Sequence, residues 1–111
     1  MKRLILAVAA ALALPAMAHA QDIPRYDVED HCEQVAGFGG SFSNSTYNGC
    51  IQMEQSAYNG LRDQWQQLPA SIRQHCNDVA SFGGAGSYST LQGCVQMEVS
   101  AGENRDSFSF D

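Results

Sequence analysis

After Lys2 the 111-residue chain contains no lysine at all. From Gln21 onward four arginines stand against twelve acidic residues, a formal charge of −8. Such a chain repels phosphate backbones, which argues against nucleic acid as a partner. It also gains no electrostatic hold on anionic lipid. A cationic partner remains open, as does a simple role for the charge in solubility. Catalytic signatures are missing as well: there is no H-E-x-x-H, no G-x-S-x-G elbow and no paired-carboxylate site. The Gly-Ser stretches lack the lysine and flanking strand of a phosphate-binding loop. Long apolar runs are scarce. The one that stands out, Leu4 to Leu14, is too short for a bilayer, which needs about 20 residues.

That run is nonetheless informative. Lys2 and Arg3 precede it, Pro15 breaks it, and Ala18-His19-Ala20 follows with small residues at both positions a signal peptidase requires. Residues 1–20 are therefore expected to be a signal peptide, with Gln21 the first mature residue and no membrane anchor after cleavage. The expected location is periplasmic or extracellular. At about ninety residues the remaining chain is one small domain or two very small ones, a size at which cross-links help the core. Its four cysteines all lie beyond the expected cleavage point, and an oxidising compartment makes disulfides the default.

The largest signal is internal. "HCEQVAGFGGSFSNSTYNGCIQMEQSA" from His31 returns at His75 as "HCNDVASFGGAGSYSTLQGCVQMEVSA", an offset of 44 residues without a gap and with 17 of 27 positions identical. Two copies of one supersecondary unit are implied. Val28, Cys32 and Val35, and again Ile72, Cys76 and Val79, fall at i, i+4 and i+7, the spacing of an apolar helical stripe. Asp27 and Ser71 suit the N-caps of these helices, and Pro69 suits a helix entry. Gly39-Gly40 and Gly83-Gly84 suit the turns that end them. Ser45 and Ser89 suit the caps of a second helix in each copy. On these helices Tyr47, Cys50, Ile51, Glu54, Ala57 and Tyr58, or Leu91, Cys94, Val95, Glu98 and Ala101, share a side. Gly49 and Gly93 cost a helix about 1 kcal/mol each, which suggests a close approach by the first helix. Asn59-Gly60 is a candidate bend, after which Leu61, Trp65 and Leu68 form a short apolar stripe.

The fold class expected is all-α, two tandem disulfide-stapled helical hairpins. The units span 21–60 and 70–102, with a connecting helical segment over 61–69 and a tail over 103–111. Four cysteines allow three pairings. The eighteen-residue separation and the block-wise repeat favour Cys32–Cys50 and Cys76–Cys94, with cross-pairing between units and free or metal-bound thiols as the alternatives.

The C-x17-C unit with "FGG…S…GC…ME…A" resembles small exported bacterial proteins of uncharacterised function that carry such cysteine-paired segments. The resemblance implies no activity, ligand or catalytic residue.

The candidate function is a non-enzymatic binding or interaction module with a protein partner, no catalytic residue and no cofactor. Phe38, Phe42, Phe82 and Tyr88, in the turn regions, form the candidate contact surface, since exposed rings make efficient anchors; the alternative is that they close the core. A second class is a periplasmic copper handler using His31, Met53, His75 and Met97, thioether and imidazole being copper(I) ligands. A small enzyme is a third. Glu54 and Glu98, each four residues after a cysteine, are expected to reach His31 and His75 as a structural ion pair or hydrogen bond in each hairpin.

Overall fold

The structure is a computed structural model and describes residues 22–111; the expected signal peptide lies outside them. After an N-terminal strap without regular structure (22–27) come four α-helices: α1 (Val28–Ala36), α2 (Asn44–Gln64), α3 (Ala70–Ala80) and α4 (Tyr88–Glu103). A 3₁₀ turn, Trp65–Gln67, continues α2 before Pro69 admits α3. No strand occurs among the described residues, and those after Glu103 carry no regular element and are exposed. The all-α expectation holds.

Both cysteine pairs form within their own hairpin. Cys32 bonds Cys50 and Cys76 bonds Cys94, with Cα atoms 5.6 and 5.5 Å apart. Closing loops of eighteen residues in this way stabilises each hairpin by about 3 kcal/mol in the chain-entropy model. So short a bridge draws the helices close, and this sets which side chains fit between them. Cys32 and Ala36, and in the second hairpin Cys76 and Ala80, are the buried residues of α1 and α3. Val35 and Val79, expected in the stripe, are pushed to the half-exposed side.

The caps differ in detail from expectation. Asp27 caps α1 by accepting from Asp30 N–H. Ser43 and Ser87, two residues earlier than Ser45 and Ser89, cap α2 and α4 by accepting from Thr46 and Thr90 N–H. Each obeys the same rule, an N-cap oxygen serving the amide three residues on. Ser71 caps nothing, because α3 begins at Ala70 behind Pro69 without a side-chain cap. In the turns, Gly39 and Gly40 adopt φ of +92° and +100°, and Gly83 adopts +72°, values that favour glycine.

The two hairpins are not equal partners. The main core joins Ala57, Leu61 and Trp65 from the far half of α2 and its 3₁₀ turn to Cys76 and Ala80 of α3 and Tyr88, Leu91 and Val95 of α4. The second hairpin and the C-terminal half of α2 thus form a three-helix core. The first half of α2, with α1 bonded to it, is an arm on that core. This explains why α2 does not break at Asn59-Gly60. Gly60 lies at the crossing with α4, where an added β-carbon would meet the Gln92 side chain at 3.1 Å. The segment 61–69 therefore begins as an uninterrupted extension of α2 that buries Leu61 and Trp65.

Candidate functional site

Where arm and core meet, one charged side chain is buried. Glu54 on α2 is only 3 % exposed. Its Oε1 accepts the Tyr88 N–H at 2.5 Å, and its Oε2 accepts the Ser87 hydroxyl at 2.9 Å, the Ser89 hydroxyl at 2.7 Å and the Ser89 N–H at 3.3 Å. An α-helix leaves its first amides without intrahelical partners. Here Ser87 takes the Thr90 amide of α4, and Glu54, reaching in from the other hairpin, takes the Tyr88 and Ser89 amides. The negative group sits at the positive end of the α4 dipole, where it is favoured. His31 Nε2 lies 4.0 Å from the same Oε2.

The second copy repeats the pair but not the setting. His75 Nε2 stands 3.8 Å from Glu98 Oε2, yet both side chains are roughly half exposed. Among the described residues no helix start receives Glu98. The reach of each glutamate to its histidine was legible in the repeat; the helix capped by only one of them was not.

Tyr88 is the second element of the junction. Its hydroxyl donates to Pro24 O at 2.7 Å and accepts the Tyr26 N–H at 2.9 Å, fastening the strap to α4. Tyr26 in turn donates to Asn77 Oδ1 at 2.7 Å. The Tyr26 and Tyr58 rings lie 4.7 and 4.9 Å from the Tyr88 ring between centroids. Burial, with the nearby Tyr88 and Asp78, raises the Tyr26 phenol far above its ordinary value; burial also raises that of Tyr88. Between strap, α1 and α2 these rings border a cleft of ≈ 420 Å³ with Arg25 and Glu29 among its lining residues.

Of the four rings expected at the contact surface, Tyr88 belongs to the core, at 5 % exposed, and offers no surface. Its hydroxyl found backbone partners in the strap, a segment outside the repeat. Phe38 and Phe82 are each 89 % exposed, at the same place in the two turns, and Phe42 is exposed and lies 6.0 Å from the Tyr47 ring. Among the copper candidates, His31 and Met53 line one cleft of ≈ 430 Å³ that also includes Val35, Thr46 and Ser89. Met53 and Met97 are both exposed. Among the described residues no three His, Cys, Asp or Glu side chains gather as a metal cluster, and both cysteine pairs are oxidised. No helix among them is long and apolar enough to cross a membrane.

No family model, curated protein or solved structure matches the chain. The two disulfides suit an oxidising, extracytoplasmic compartment.

Proposed function

We propose that the protein is an exported, non-enzymatic binding module that presents the aromatic tips of its two hairpins to a protein partner. The observation that supports this most directly is the pair Phe38 and Phe82. Each is 89 % exposed on a turn whose helices are bridged by a disulfide. A bare phenyl ring on a short, braced turn loses little entropy on binding and is an efficient anchor. The repeated F-G-G keeps the ring in both copies although neighbouring turn residues differ. The net charge of −8 after Gln21 favours a partner with basic groups around its apolar pockets.

Photo-crosslinking in the native host tests the reading. A benzophenone side chain at position 38 or 82 should trap the same protein, and none should be trapped from exposed Gln67. F38A combined with F82A should abolish capture from a probe at Phe42 while leaving the thermal midpoint unchanged. Capture that survives the double substitution would overturn the assignment. N-terminal sequencing of the exported form should begin at Gln21.

The shared cleft of His31 and Met53 keeps copper(I) as a second reading. Competition with a chromogenic copper(I) chelator decides it, and retention of the metal by wild type but not by M53L would favour it over the first.

A further inference from the structure

We propose that Glu54 is a charge-dependent latch holding the start of α4 against α2, so that neutralising this one carboxylate frees the Tyr88 and Ser89 amides while both disulfide-closed hairpins stay folded. The inference stands apart from the identity of any partner.

The site is built for a charged carboxylate. All four hydrogen bonds to Glu54 come from donors, two amides and two hydroxyls, and none of these partners is a carbonyl or carboxylate. An ionised carboxylate only accepts, whereas a protonated one carries a donor that needs an acceptor of its own. The serine hydroxyls can turn to supply one, but the Tyr88 and Ser89 amides cannot. Those amide bonds then lose their charge assistance, which about halves their strength. The α4 N-terminus loses its anion at the same moment. The stabilisation therefore rests on the charge of Glu54.

The groups facing Glu54 do not replace it. From α1, His31 stands 4.0 Å away with no hydrogen bond to it, and a protonated imidazole there favours the ionised, closed state. Glu29 of α1 and Arg25 of the strap, opposite in sign, share a cleft with Glu54. The remaining titratable groups in that cleft are the phenols of Tyr26, Tyr58 and Tyr88.

The released segment has definable ends. Cys94 is bonded to Cys76 and Val95 is buried, so the second turn of α4 stays in place. What is freed is the backbone at Tyr88 and Ser89, while the Tyr88 ring and hydroxyl stay fastened to the strap and Leu91 stays in the core. The repeat supplies an internal control, since Glu98 has the same Gln-Met-Glu context and a histidine at 3.8 Å but no helix start to hold.

Amide hydrogen exchange read by NMR on the disulfide-intact protein tests the latch. E54Q should speed exchange at Tyr88 and Ser89 at least tenfold and leave Leu61 and Val95 unchanged. E98Q should behave as wild type. Unchanged protection at Tyr88 and Ser89 in E54Q would overturn the proposal. So would loss of protection at Leu61 and Val95 by the same factor, which would make Glu54 a general support rather than a latch. Where E54Q fails to fold, S89A keeps the carboxylate and the Ser87 cap but removes one donor. It should speed exchange at position 89 and leave Leu61 and Val95 unchanged, and unchanged protection at position 89 would count against the latch.

Discussion

The ring of Tyr26 lies against Gly86. A β-carbon built on this glycine would sit 2.5 Å from Cδ1 of the ring and 2.6 Å from Cγ, and Gly86 also has φ +97°. Two independent requirements thus fall on one residue: a left-handed backbone and an empty face on which the strap rests. G86A should destabilise by at least about 2 kcal/mol, strain in that region alone costing on the order of 1–3 kcal/mol. G84A, in the same turn with ordinary φ and nothing within 4 Å, should fall well short of that. Urea unfolding of the two variants side by side measures the difference, and similar midpoints would refute the strap contact.

Stability should fall on the alkaline side. The Tyr26 and Tyr88 phenols both stand above the ordinary value of a tyrosine, chiefly because they are buried. A group whose folded value is raised contributes its stability below the unfolded value, and that contribution is lost as pH rises beyond it. The structural cause is visible: both hydroxyls donate, to Asn77 Oδ1 and Pro24 O, and a phenolate cannot. Wild type should therefore unfold progressively above about pH 10. Y26F should be weaker at neutral pH, by about 1 kcal/mol for the lost hydrogen bond, but flatter with pH above that point. Parallel slopes for the two proteins would contradict this.

The hairpins and their cross-links were legible because the repeat states them twice. A C-x17-C spacing, a Gly-Gly turn and a helical stripe on each side leave few other arrangements for either copy. What joins the copies was not legible from that comparison, because the junction depends on residues that differ between them. Phe42 corresponds to Gly86, Asn44 to Tyr88 and Tyr58 to Gly102. In the second copy these changes make the seat for Tyr26 and the ring that holds the strap. In the first copy Tyr58 supplies the ring that packs on Tyr88 from α2. The mismatches in the alignment were thus the available signal for the junction. Glu54 shows the limit of even that signal: it is identical to Glu98 in sequence, and only the neighbour brought to it by the long α2 makes it buried.

The disulfides should differ in consequence despite equal spacing. Cys76 is part of the main core, with Leu61, Leu91 and Val95, whereas Cys32 is buried only between α1 and α2. Each bond closes a loop worth about 3 kcal/mol. Replacing Cys76 and Cys94 by alanine also thins the three-helix core and should cause cooperative loss of the whole fold. Replacing Cys32 and Cys50 should instead let α1 fray while α3 and α4 remain. Circular dichroism together with exchange at Leu91 and Val95 separates the two outcomes, and equal loss of protection in both variants would show that the arm is not separable.

Gly49 and Gly93 sit inside α2 and α4, one residue before each second cysteine, and were expected to admit the first helix of each hairpin. The space beside them is open: a β-carbon at either would meet nothing within 4 Å. Their φ values lie outside the left-handed region, so an alanine would be unstrained. Neither packing nor backbone within the molecule therefore calls for glycine, yet each weakens its helix by about 1 kcal/mol relative to alanine. G49A and G93A should each raise stability by nearly that amount, and, lying apart on different helices, their effects should add. A gain in the urea midpoint at unchanged slope for each single variant, with the double variant near the sum, is the expected result. Destabilisation by either alanine would mean that a neighbouring helix comes closer to that position than the structure shows.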